Sequence, residues 1–143
     1  MQDDSPSQRS DAPEYEALPE YTWDDVDALQ ADLAVVIANP HMPDCPIVYV
    51  NDAFLAHSGY DREEIIGRNC RFMQGPDSEP DAVARFREAI ADRSMADIRI
   101  TNYRKDGAVF INQVLLRPLR QDGDESPLVI AVQRRVAEVQ PKT

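Results

Sequence analysis

From Met95 onward the chain alternates with a period of two. In Ala96–Arg104, Ile98, Ile100 and Asn102 share one parity, while Arg99, Thr101 and Tyr103 share the other. In Ala108–Arg117, Phe110, Asn112, Val114 and Leu116 fall together, and in Pro127–Arg135 so do Val129, Ala131 and Gln133. Side chains alternate across a strand, so each run reads as a strand with one apolar face. Lys105-Asp106-Gly107 makes a tight hairpin turn between the first two, and Gln121–Ser126 a looser turn before the third. Upstream, Leu33–Ala38 closes at Asn39-Pro40, and Ile47–Val50 follows the Pro43–Pro46 turn, so both read as strands. Between them and the meander, Asp52–Asp92 lacks period-two runs and reads as short helices. The clearest is Pro80–Asp92, where Val83, Phe86, Arg87 and Ile90 share a face. Two strands, helices and a three-strand meander predict an α+β domain with a five-stranded antiparallel sheet covered on one face by the helices.

Parity also exposes an anomaly. Each meander strand carries one primary amide, Asn102, Asn112 or Gln133, on its apolar side. A buried amide without partners costs on the order of 1–3 kcal/mol, so three on one sheet face make a poor plain core. Amides donate and accept at once without charge. They suit a flat neutral heterocycle with alternating C=O and N–H groups at its edge, such as a flavin or a pterin.

A second concentration of polar groups is Gly67-Arg68-Asn69-Cys70-Arg71-Phe72-Met73-Gln74-Gly75. On one short helical turn these residues place the amides of Asn69 and Gln74 and the guanidinium of Arg71 beside a lone thiol. Cys70 then suits a catalytic nucleophile, a redox cysteine or a covalent attachment site. A nucleophilic cysteine wants a nearby base. The two histidines, His41 and His57, lie in turn or early-helix segments away from the motif and read as surface residues. Neither a Cys-X-X-Cys pair nor a Gly-rich phosphate loop is present, and two scattered cysteines do not build a zinc site. The enzyme reading is therefore weak. Arginine forks match phosphate oxygens, and Arg71 together with Arg87 would serve a ligand with a phosphate tail.

The remaining bounds come from length and charge. At 143 residues one domain is expected, with no membrane span and no secretory leader, which points to a cytoplasmic protein. The net charge of −11 is concentrated in residues 1–32, where ten acids face one Arg. So acidic a chain does not bind nucleic acid directly through phosphate contacts. Residues 1–20 read as a disordered acidic arm, and 21–32 as a helix capped by Thr22 with Trp23, Val26, Leu29 and Leu33 as an apolar stripe. The domain then occupies 33–136, with a short tail at 137–143.

The nonapeptide around Cys70 resembles the signature of LOV domains, the flavin-binding photoreceptor branch of the PAS superfamily. So do Asn102-Tyr103-Arg104-Lys105-Asp106-Gly107, Phe110-Ile111-Asn112 and Ala131-Val132-Gln133. The resemblance covers roughly residues 33–135. It implies a PAS fold with FMN bound noncovalently in the dark and a light-driven thioether between Cys70 and flavin C(4a). By position, Asn69 and Gln74 would contact the ribityl chain and nearby ring edge, and Arg71 and Arg87 the phosphate. Asn102 and Asn112 would pair with the pyrimidine edge, and Gln133 would reach O(4) and N(5). The sequence departs from the family at Met73, usually Leu, at Ala131, often Gly, at Ile111, often Trp, and at Cys45, often Asn. Cys45 reads as an inert thiol. Only ten residues follow Gln133, as in short LOV proteins, so the expected output is a homodimer or a partner protein. A light-gated interaction module is the favoured reading. The alternative is a PAS-type flavin redox or ligand sensor without the thiol adduct.

Overall fold

The computed structural model describes residues 33–120 and 127–139, together with the backbone of Tyr21–Thr22. Its strands are β1 (Tyr21–Thr22), β2 (Ala34–Ala38), β3 (Ile47–Val50), β4 (Ala96–Tyr103), β5 (Val109–Arg120) and β6 (Val129–Val139). Its helices are α1 (Asp52–Ser58), α2 (Arg62–Ile65) and α3 (Pro80–Asp92), with a 3-10 turn at Cys70–Met73. Five strands pair antiparallel in the order β3–β2–β6–β5–β4, and β1 adds in parallel to the end of β5, Tyr21 opposite Leu119.

The expected α+β architecture is therefore present, and so is its parity. Val36, Ile98, Ile100, Phe110, Val114, Leu116 and Ala131 pack on one face with Phe54, Ile65, Met73, Ala82 and Ala89 from the helical segment. On the opposite face Val35, Ile37, Leu115, Leu119, Ile130 and Val132 form a second buried cluster. Two elements outrun their expected ends: β5 continues to Arg120 and β6 to Val139. Backbone pairing continues there, with Phe110 opposite Glu138 and Val109 opposite Val139, although the side chains beyond Gln133 no longer alternate in polarity. The expected tail at 137–143 thus begins inside a strand. The helix expected at 21–32 starts instead with the two-residue strand β1, and its remaining residues, like the arm 1–20, lie outside the described residues.

Three local devices position the helical layer over the sheet. Asn51 caps α1, its Oδ1 accepting the Phe54 N–H, and also accepts the N–H of Val35 and donates to Leu33 O, tying the helix start to β2. Glu79, just before α3, accepts from Thr101 N–H at 2.8 Å and Thr101 Oγ1 at 2.7 Å, which docks that helix on β4. Finally, Gly67 N–H donates to Ile47 O and Ile47 N–H to Arg68 O, both at 2.8 Å, with Gly67 at φ 93°. This is the geometry of a bulge opened by a left-handed glycine, and it aims the following segment, with Cys70, at β3.

Gly75 matters for a different reason. A Cβ there would fall within the Tyr103 ring, whose hydroxyl accepts from Asp77 N–H at 2.8 Å. Gly75→Ala should therefore destabilise the chain by about 1–3 kcal/mol in denaturant unfolding. The same change in a Tyr103→Ala background should cost much less, and equal losses in both backgrounds would refute the clash.

Candidate functional site

Between the helical layer and the core face of the sheet lies a cavity of about 740 Å³, including the space at its mouth. The sheet contributes Val36, Ala38, Ile100, Asn102, Asn112, Val114, Leu116, Val129, Ala131 and Gln133 to its wall. The facing wall holds Phe54, Asn69, Cys70, Arg71, Met73, Gln74, Phe86 and Ile90, with Cys45 from the β2–β3 loop. Seven of the eight site residues expected from the sequence thus line one space. Arg87 does not: it is exposed on α3, whereas Phe86 and Ile90 of the same helix face inward.

The three amides form one chain. Asn112 Nδ2 donates to Asn102 Oδ1 at 2.9 Å and to Gln133 Oε1 at 2.8 Å. Asn102 Nδ2 donates to Met73 O at 3.2 Å and Thr101 O at 3.3 Å. All three are buried, at 5%, 1% and 6% exposure for Asn102, Asn112 and Gln133, so their mutual bonds remove the cost of burying them. A ring whose edge carries both carbonyl and N–H groups can exchange with these bonds one for one.

The wall around Cys70 is held by the loop between β2 and β3. Asn69 Oδ1 accepts from Arg71 N–H, capping the 3-10 turn, while its Nδ2 donates to Asp44 O at 2.8 Å. Arg71 closes a two-pronged ion pair on the Asp44 carboxylate, both contacts at 2.8 Å. Asp44 and Cys45 adopt left-handed backbone, φ 64° and 47°, a costly conformation for side chains with a Cβ. The bonds from Asn69 and Arg71 hold it, and the turn carries Cys45 into the cavity beside Cys70. Nothing in the Pro-rich sequence of that loop signals this placement.

Cys70 counts as exposed by surface area because its side chain opens on the cavity. Protein atoms crowd it otherwise, and that burial pushes the thiol up to about 12, with a smaller contribution from Cys45. Cys45 is itself pushed up, by burial and then by Asp44. Burial thus favours the neutral form of both thiols.

His57, expected on the surface, does not lie there. It is half-buried, its Nε2 3.2 Å from Asn112 Oδ1, with its ring 5.9 Å from Phe54 and 5.1 Å edge-on to Phe110. Burial and then the Arg135 charge press its pKa down to about 4, with Arg104 adding to the effect and the Asn112 bond opposing it.

A PAS domain family model matches residues 32–136. The solved LOV domain of the blue-light activated histidine kinase EL346 from Erythrobacter litoralis is 36% identical. The match covers 73% of this chain and 96% of that one, with a TM-score of 0.70. The chain is a LOV domain of the PAS family. A second light-oxygen-voltage domain, solved in a study with a flavin analogue, is 42% identical over 78% of this chain and 84% of that one, TM-score 0.73. Among curated relatives, blue-light-activated histidine kinase 1 of Erythrobacter litoralis is 53% identical over 90 residues, 63% of this chain. Phototropin-2 of Oryza sativa subsp. japonica is 37% identical over 125 residues, 87% of this chain. This LOV domain spans only 25% and 14% of the length of those two proteins.

The His57 placement makes stability depend on pH. The folded chain holds the ring neutral down to about 4, whereas the unfolded ring takes its proton near 6.5. The stabilisation is therefore complete above pH 6.5 and is lost as pH falls through 4. The carboxylates of Asp44 and Glu64, held low by Arg71 and Lys105, add their losses further down. The thermal midpoint of the wild type should fall between pH 6.5 and 4.5, and His57→Leu should flatten that segment. A wild type whose midpoint is flat there would contradict the buried neutral ring.

Proposed function

We propose that this LOV domain is a blue-light sensor that binds FMN and signals through Gln133 and the sheet to a second copy or a partner protein. The observation that carries the proposal is the shared wall: a neutral thiol and three hydrogen-bonded amides face one cavity between the helical layer and the sheet. Asn102, Asn112 and Gln133 would read the pyrimidine edge, while Asn69 and Gln74 flank the middle of the ligand. Arg71 would take the phosphate by sharing its fork between that group and Asp44. Arg87 reaches the phosphate only by folding back from the exposed face of α3. Bound flavin, excited by blue light, would supply the reactivity for a reversible bond to the Cys70 sulfur, whose proton would pass to the ring.

The protein's own contribution is to keep the thiol neutral and aimed, and to respond at Gln133. Gln133 carries both a C=O and an NH₂ on one amide, so it would answer a gain of hydrogen at the ring nitrogen facing it by turning its C=O where its NH₂ stood. That rotation breaks the Gln133 bond from Asn112, and the change is felt along β6. Ile130 and Val132, on the other side of that strand, belong to the apolar cluster on the outer sheet face. Light alters a contact there only to the extent that the two states differ in contact free energy.

Purified chain should show a three-peaked flavin band that bleaches under blue light and recovers in darkness. Cys70→Ala should bind FMN and lose the bleaching; persistent bleaching to the same product would move the reaction to another residue. Gln133→Leu should bleach, yet shift the band to the blue, and an unchanged band would remove Gln133 from the ring. For the output, light-scattering mass should report a dimer whose population changes with light in the full chain, and less of it in a chain beginning at Asp32. Monomers in both chains and both states would assign the signal to a separate partner.

A further inference from the structure

Asn112 is the central link of the amide chain, and its orientation has a cause outside the cavity. A primary amide has two N–H donors on one end and a carbonyl on the other. Asn112 commits Nδ2 to Asn102 Oδ1 at 2.9 Å and Gln133 Oε1 at 2.8 Å. Its Oδ1 therefore points away from both, toward His57 Nε2 at 3.2 Å. Two acceptors do not bond, so Nε2 carries the hydrogen and donates.

The surroundings hold the ring to that task. Phe54, on the same helix, and Phe110, on β5, flank it at 5.9 and 5.1 Å. The Arg104 guanidinium, at the end of β4, donates to the carbonyl oxygens of Ala56 and His57 at 2.6 and 3.1 Å, fixing the helix end. Arg135, on β6, lies over the Phe110 ring at 4.7 Å. Burial first, and then the two nearby cations, disfavour a second proton on the imidazole, so the ring stays a single-donor group at neutral pH.

We propose that His57 is a positioning residue for ligand recognition: its Nε2–H, bonded to Asn112 Oδ1, fixes that amide with its NH₂ group on the cavity side. Once Asn112 gives up its bond to Asn102 or to Gln133, the site meets the ligand at this point with a donor and selects a carbonyl oxygen there. The identity of the ligand as a flavin rests on the proposed function, whereas the orientation of Asn112 does not. A leucine at this position would leave Oδ1 unpaired and free the amide to turn over, mixing donor and acceptor at the ring edge.

The first test needs no ligand. Long-range proton–nitrogen spectra of the full chain, labelled at histidine, should show His57 at pH 7 as neutral with its hydrogen on Nε2. A hydrogen on Nδ1, or a charged ring, overturns the proposal. The second titrates FMN into wild type, His57→Leu and His57→Gln, with thermal unfolding confirming that each is folded. His57→Leu should weaken FMN about three- to tenfold, the range of one lost hydrogen bond, and shift the flavin band. His57→Gln, whose side-chain NH₂ can donate to the same oxygen, should return both to near wild type. Equal losses in the two variants, or FMN binding and a band unchanged in His57→Leu, also overturn it. A wild-type chain that takes up no FMN defeats the proposed function, and the tautomer then decides alone for or against His57.

Discussion

The bonds that join Asn102, Asn112 and Gln133 across three strands are the constraint on which the rest of this structure depends. Each amide is buried, and each would be a net liability without the others. Their meeting requires the registers observed: Asn102 opposite Phe110, Ile100 opposite Asn112, and Val114 opposite Gln133. A slip of one residue would turn each amide to the outer face and carry Leu115 or Val132 into the cavity. Sheet register and the polar lining of the cavity are thus set by the same side chains. The cavity is then bounded on its second side by the helical layer, docked through Asn51 and Glu79.

The thiol depends on a separate clasp. Asp44 accepts from Asn69 and Arg71, the residues on either side of Cys70, so the β2–β3 loop and the 3-10 turn move as one wall. The exposed ion pair within it adds little stability by itself, since such pairs contribute about 0–1 kcal/mol. Its value is geometric: it holds two left-handed residues and brings Cys45 to the cavity. Under the proposed function Arg71 would serve both the loop and an anionic ligand. Asp44→Asn would free the guanidinium for the ligand at the expense of the wall.

Local patterns were legible in the sequence because they need no distant partner. Alternation identified the core face of β4, β5 and β6, and with it all three amides; the apolar spacing in α3 gave its boundaries. The nonapeptide placed Cys70 on a short turn. What escaped is what depends on contacts far along the chain. His57 meets Asn112 across 55 residues, and no periodicity marks it. Cys45 enters the cavity through two left-handed residues in a loop whose prolines suggested only a turn. Arg87 shares a helical face with Phe86 and Ile90 by spacing, yet the cavity lies toward one side of that face and leaves Arg87 in solvent.

The central claim is that the three core-face amides are the reading edge for a flavin ring, and side-chain amide resonances report on it directly. In proton–nitrogen spectra of the full chain, adding FMN in the dark should shift the NH₂ signals of Asn102, Asn112 and Gln133 together. The Gln113 signal, bonded to Asp97 and Arg134 instead, should stay in place. Saturating FMN that leaves the three amides unmoved, or shifts Gln113 as much as them, would contradict the account.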